Sequence, residues 1–179
     1  MPRLEVLVGM IASGKSTYAC LRADQGALVV CHDDLTQMLH ARYRYEAELR
    51  EYYRRMEEAL VGVGLLAQRD VVIDRTHLTR ESRARWINFL QHFNDVVSIV
   101  AVEFPRESIN AHATRRFNAD PRGRPFTEWH AVARHHAAQA DAEPLLVEEG
   151  FAAILKVGDL STHEPDERRP PECPVFRDA

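Results

Sequence analysis

At 179 residues with 45% hydrophobic content, the chain can bury one core of ordinary size and is too short to promise two independent domains. A formal charge of −4 excludes a protein that coats nucleic acid nonspecifically, because that needs many unpaired cations, so any nucleic-acid contact must be local. Cys20, Cys31 and Cys173 show no C-x-x-C spacing and read as reduced, buried thiols. The N-terminus enters a strand-like run at once, and no window approaches the ~18 apolar residues of a membrane span, which predicts a cytoplasmic protein with no membrane contact.

Residues 3–8 (RLEVLV) predict a short buried strand, and the segment from Lys15 predicts a helix, with a glycine-rich loop joining them. A second apolar run, ALVVCH at 27–32, leads into Asp33 and Asp34, placing these carboxylates at the C-terminal end of a strand. From about Asp34 to Gln68 the pattern is helical, with Leu49, Tyr53, Met56, Leu60 and Val63 as a packing stripe. DVVID at 70–74 is the third strand; Thr79 and Ser82 then cap a helix that carries Trp86, Phe89 and Leu90 on one face. VVSIVAVEF at 96–104 is the fourth strand, followed by a helix from Arg106 to Phe117, a Pro/Gly/Arg-rich loop at 118–125 and a helix from about Thr127 to Ala142. FAAILKV at 151–157 completes the set. Strands alternating with helices imply an α/β fold, a five-stranded parallel sheet with helices on both faces. One domain over 1–160 is expected, with a tail over 161–179 that holds four of the nine prolines and reads as extended or poorly ordered.

Gly9, Gly14, Lys15 and Ser16 satisfy G-x-x-x-x-G-K-[ST], a loop whose backbone amides and helix N-terminus wrap nucleotide phosphates. Gly9, Ala12, Ser13, Gly14, Lys15, Ser16 and Thr17 are therefore the nucleotide-binding candidates, with Lys15 reaching the β and γ phosphates and the Ser16 hydroxyl completing a Mg²⁺ shell. Lys15 is one of only two lysines among 23 basic residues, which fits a position that needs a compact ammonium. No N-K-x-D sequence for guanine recognition is present, and AAA-type ATPases are usually longer. Ligands of open parallel sheets sit beyond the carboxyl ends of the strands, so Asp33 and Asp74 should face the phosphate loop, where either can take a proton from an attacking hydroxyl. The bland reading of Asp33 is a first-turn helix acid. His130, His135 and His136 are spaced poorly for sharing a metal and read as surface residues.

GMIASGKST, HDD at 32–34, VVIDRTHLTRESRARW at 71–86 and the arginine-rich loop at 118–125, in that order, resemble the phage and bacterial polynucleotide 5′-kinases and related small P-loop kinases. The resemblance implies an adenylate-kinase-like fold that moves the γ-phosphate of ATP, with Mg²⁺, onto a hydroxyl. By motif position it makes Asp33 the general base, lets Asp74 and Thr76 hold the acceptor site, and gives a short lid, about 115–128, in which Arg122 is the catalytic, nucleotide-binding cation with Arg116 and Arg124 as neighbours. Two departures concern the acceptor. Thr36 stands on the substrate side where that family grips the acceptor phosphate with arginine, and His32 stands where arginine is frequent; Arg42, Arg44, Arg75, Arg80 or Arg83 can compensate. The expected acceptor is a polynucleotide 5′-hydroxyl, RNA or DNA. The alternatives are a small hydroxyl acceptor (nucleoside, sugar or antibiotic) and a nucleotide-dependent binding module.

Overall fold

The first strand, β1 (Arg3–Val8), shows how the chain is layered: successive side chains of a strand point to opposite faces, and both faces here are covered. Leu4, Val6 and Val8 pack on one side with Val61, Leu65, Ile73, Trp86 and Leu90, while Leu7 packs on the other with Ala19, Val100, Val102 and Phe104. Burial on two faces is why the strands read as unbroken apolar runs. Glu5 shares the face of Leu7 and is fully buried; the Tyr18 hydroxyl and the Arg22 guanidinium donate to its carboxylate, and Arg22 also pairs with Asp70 at 2.9 Å.

The structure is a computed structural model that describes residues 1–42, 44–93, 96–120 and 123–158. β1 is followed by α1 (Lys15–Asp24), β2 (Leu28–Cys31), α2 (His32–His40), α3 (Arg50–Leu66), β3 (Val71–Asp74), α4 (Arg80–Leu90), β4 (Ser98–Glu103), α5 (Ile109–Asn118), α6 (Phe126–Ala142) and β5 (Ala153–Lys156). The strands form one parallel sheet in the order β2-β3-β1-β4-β5, as the alternation of strands and helices predicts. The order reverses around β1, so the loop after β1 opens where parallel sheets hold ligands. The tail over 161–179 and Cys173 lie outside the described residues, whereas Cys20 and Cys31 are half-buried thiols, less enclosed than expected. No helix among the described residues is long and apolar enough to cross a membrane.

The single helical pattern expected over 34–68 is two helices. α2 stops at Ala41, which adopts a left-handed φ of 55°, and α3 starts afresh at Arg50. The buried face of α3 keeps Tyr53 of the expected stripe but is otherwise rotated: Tyr53, Glu57, Val61, Gly64 and Leu65 are buried, while Leu60 is 42% and Val63 67% exposed. A Cβ on Gly64 would stand 2.7 Å from the Val71 side chain, so glycine is what lets α3 lie this close to the sheet. α4 follows its prediction, with the Thr79 hydroxyl accepting from the Ser82 amide and Trp86 and Leu90 buried.

His77, just after β3, is 2% exposed and spans two elements. Its Nδ1 faces the Leu7 carbonyl at 2.9 Å and its Nε2 accepts from the Trp86 indole at 3.0 Å, which fixes a neutral ring with its proton on Nδ1. Burial pushes its pKa down to about 3. Because the ring protonates near 6.5 once unfolded, the unfolded state binds the extra proton between roughly pH 6.5 and 3, and stability falls as pH drops through that window. Urea unfolding should show about 2 kcal/mol less stability from this residue at pH 5 than at neutrality. His77→Gln should shrink the pH difference, and an unchanged difference would assign the acid sensitivity elsewhere.

Candidate active site

The phosphate loop, residues 9–16, is shaped by contacts that only certain residues permit. A Cβ on Gly9 would sit 2.8 Å from both Phe104 Cβ and Ser13 Oγ, and Gly9 also donates its amide to the Thr76 carbonyl at 3.0 Å. Gly14 has φ 97° at the entry to α1, a conformation natural to glycine. Lys15 is buried at the start of α1, its ammonium donating to the carbonyls of Gly9 at 3.1 Å and Met10 at 2.6 Å and to Ser13 Oγ at 3.3 Å. Burial lowers its pKa to about 8, with the Asp74 carboxylate pulling the other way.

A cavity of about 910 Å³ opens along this loop. Ala12, Ser13, Gly14, Lys15, Ser16 and Thr17 form one part of its wall, and Asp33, Asp74 and Thr76 come to it from the ends of β2 and β3. The topology thus brings every phosphate-loop residue singled out in the sequence except Gly9, which lies behind the loop, to one cavity with three of the four acceptor-side residues. Thr36 is the exception. It is fully buried within α2, and its hydroxyl donates to the Asp33 carbonyl at 2.8 Å. Asp33 itself is exposed in the first turn of α2, two residues past the end of the strand.

Asp74, expected to hold the acceptor with Thr76, also touches the phosphate loop. Its carboxylate accepts from the Ser16 hydroxyl and lies near Lys15; burial raises its pKa, and these two neighbours offset part of the rise. A hydroxyl and a carboxylate side by side are hard oxygen donors of the kind Mg²⁺ takes, since it binds one or two carboxylates and completes its shell with phosphate oxygens and water. Ser16 and Asp74 fit that ion.

Of the five arginines named as possible compensation, only Arg75 lines the cavity. Arg83 is 1% exposed and tied to Glu149, and Arg44 pairs with Glu46 on the surface. Arg75 is held by Glu57, a fully buried carboxylate of α3 that sequence reading passed over. Glu57 receives His32 Nδ1 at 2.6 Å, Arg75 Nη1 at 3.1 Å and Arg85 Nη1 at 2.7 Å. Burial alone would raise its pKa, but these three donors outweigh it and hold the group at about 2. A permanent anion therefore anchors His32 and Arg75 beside Asp33. The available signal was an acid inside an apolar stripe, Tyr53-Glu57-Val61-Leu65, at four-residue spacing.

The lid arginines gather around Trp129 of α6. Arg116 lies 4.9 Å and Arg124 5.4 Å from its ring, and the Asp120 carboxylate accepts from both the Trp129 indole and the Arg124 amide at 3.1 Å. Arg116 Nε is buried with no hydrogen-bond partner among the described residues. Arg116, Arg124 and Trp129 all line the cavity; Arg122 lies outside the described residues. His136, expected on the surface, lines the cavity too.

The parallel sheet, the phosphate loop at its switch point and the acids at the strand ends define a P-loop kinase fold. The chain belongs to the AAA domain family, which matches residues 4–142. Length thus does not separate the chain from proteins bearing that description. Comparison with curated proteins finds no match. Among solved structures, a chain of the Pnkp1/Rnl/Hen1 RNA repair complex is similar with TM-score 0.65 and 23% identity, over 79% of this chain and 44% of that one. A fungal RNA kinase is similar at TM-score 0.58 and 15% identity, over 87% of this chain and 38% of that one. A sugar kinase from Janibacter sp. HTCC2649 is similar at TM-score 0.57 and 17% identity, over 87% and 86%. The chain thus spans less than half the length of the two RNA-related structures. At these identities the likeness is one of fold.

Proposed function

We propose that the chain is an ATP- and Mg²⁺-dependent kinase that transfers the γ-phosphate to the 5′-hydroxyl of a polynucleotide, RNA or DNA. The observation that carries this is the shared cavity, in which an exposed carboxylate, Asp33, and an anchored cation, Arg75, line the wall with the phosphate loop. The acceptor hydroxyl gives its proton to Asp33 as its oxygen bonds to the γ-phosphorus, and the bond to the β-phosphate bridging oxygen breaks to release ADP. Lys15 and a lid arginine hold the charge that spreads over the phosphoryl oxygens, and the lid keeps water from competing with the acceptor. When bound, Mg²⁺ would neutralise the β and γ oxygens from a position on Ser16 and Asp74. Arg75, anchored by Glu57, takes the acceptor phosphate in place of the arginine absent at Thr36. The fold shared with an RNA kinase and an RNA repair chain supports this reading.

A second reading, a small-molecule hydroxyl acceptor, draws on the burial of Thr36, which leaves that position of α2 without a cation, and on the fold shared with a sugar kinase. Labelled γ-phosphate and Mg²⁺ offered with 5′-hydroxyl RNA and DNA oligonucleotides, nucleosides and sugars separate the two. The polynucleotide reading expects label on the oligonucleotide ends and an acceptor affinity that falls with salt at a log–log slope of roughly −0.7 per phosphate held. Label confined to a small acceptor, insensitive to salt, establishes the second.

A further inference from the structure

The hairpin of α5 and α6 holds the crest of the phosphate loop at two neighbouring peptides. Arg115 Nε donates to the Ala12 carbonyl at 3.1 Å, and the Ile11 amide donates to His136 Nδ1 at 3.1 Å. Ala12 has φ 53°, a left-handed conformation that costs a residue with a Cβ about 1 kcal/mol or more, so contacts on both sides of it steady a turn that would otherwise relax. Arg115 is in turn held by Glu107 through two bonds of 2.8 and 2.9 Å.

The bond from Ile11 also decides what His136 can do. A ring that accepts at Nδ1 carries its single proton on Nε2, so it has no lone pair left to act as a base and one N–H left to give. Burial, with the Lys15 ammonium next in weight, pushes its pKa down to about 4, so the ring is neutral at physiological pH. His136 lines the same cavity as Ser13, Lys15 and Ser16, and with Nδ1 turned to the loop, Nε2 is the ring nitrogen left for the cavity.

We propose that His136 is a nucleotide-binding residue, a neutral donor whose Nε2–H bonds the terminal phosphate of the bound triphosphate beside Lys15. This rests on the nucleoside triphosphate reading above and not on the identity of the acceptor. The arrangement also ties the lid hairpin to the phosphate loop, because one ring touches the loop backbone with one nitrogen and the phosphate with the other.

ATP and ADP affinities in Mg²⁺, measured by calorimetry on the full chain, test it. His136→Leu should weaken ATP roughly ten- to a hundred-fold more than ADP, the loss of a hydrogen bond to a charged group, while the loss of the Ile11 contact lowers both nucleotides alike. His136→Gln, which offers both an acceptor and an N–H, should recover most of the ATP affinity. Equal weakening of ATP and ADP would make the ring a prop for the loop only, and unchanged affinity for both would remove any role; either overturns the proposal. A parent that binds neither nucleotide overturns it together with the kinase reading. A parent that binds both but labels no oligonucleotide overturns only the polynucleotide acceptor, and the ATP–ADP contrast in His136→Leu still decides the role of His136. Should the leucine variant fail to fold, nitrogen-15 spectra of the parent histidines decide. The Nε2 signal of His136 should shift with a non-hydrolysable ATP analogue and stay in place with ADP, and a shift common to both, or to neither, overturns the assignment.

Discussion

Asp33→Ala should lower phosphoryl transfer by ~10²–10⁴-fold while leaving ATP affinity within about twofold of the parent. The carboxylate is exposed in the first turn of α2 and lines the cavity that holds the phosphate loop, but the residues assigned to the phosphates lie on the loop, α1 and the α5–α6 hairpin, and none on α2. Removing it therefore takes away a proton acceptor without touching the nucleotide cradle. The competing role, an acid that favours the start of a helix, is worth only about 0.3–1 kcal/mol and would show as a small stability loss with transfer preserved. Asp33→Asn sharpens the distinction, since it keeps size and hydrogen-bonding oxygen but cannot take the proton. Transfer surviving in Asp33→Asn would sink the assignment as base. Lys15→Ala is the contrasting control: it should weaken ATP binding and transfer together, because its ammonium sits among the loop carbonyls where the phosphates belong.

What could be read from the chain follows the range of the interactions concerned. The five strands were legible within one or two residues: β1, β3 and β4 are buried on both faces, and an unbroken apolar run is the local trace of that burial, while the edge strands β2 and β5 keep apolar runs although Leu28, Val29 and Ala153 are exposed. The phosphate loop was legible because its chemistry sits in eight consecutive residues. The break between α2 and α3 was not, because the apolar spacing runs straight through it and the turn depends on a left-handed Ala41 that no glycine marks. His136 escaped for a different reason: its partner Ile11 is 125 residues away, and only the packing of Trp129, Ala133 and Ala137 against Met10 brings α6 to the loop. The case of Asp74 shows a third limit. Its place at a strand end was read correctly, but its contact with the Ser16 hydroxyl was not, because that hydroxyl belongs to a different strand-loop-helix unit.

Arg83 is where charge alone misleads, and its replacement should give the largest stability effect in the chain. Sequence offered it as a cation for the acceptor; the fold instead buries it at the start of α4, with Glu149 at 2.6 and 2.7 Å and four backbone carbonyls, those of His77, Leu78, Glu143 and Pro144, as its acceptors. This one guanidinium fastens the segment after β3 to the connection that leads into β5. Arg83→Met would leave the buried Glu149 carboxylate without its counterion, which costs about 3–5 kcal/mol, a large share of the ~5–15 kcal/mol by which domains are stable. For a domain of this size that lowers the melting midpoint by on the order of 10 °C. Adding Glu149→Met should restore part of the loss, because two apolar side chains of similar volume replace a pair whose desolvation was costly, but the carbonyls still lack their donor and the recovery should stay incomplete. Transfer by the double variant, assayed where it is folded, should match the parent, since neither residue lines the nucleotide cavity. A double variant that folds well but loses acceptor affinity with ATP affinity intact would return Arg83 to the acceptor site, and would mean that the lid and its neighbouring loops rearrange around the acceptor far more than the helix caps and buried ion pairs of this fold suggest.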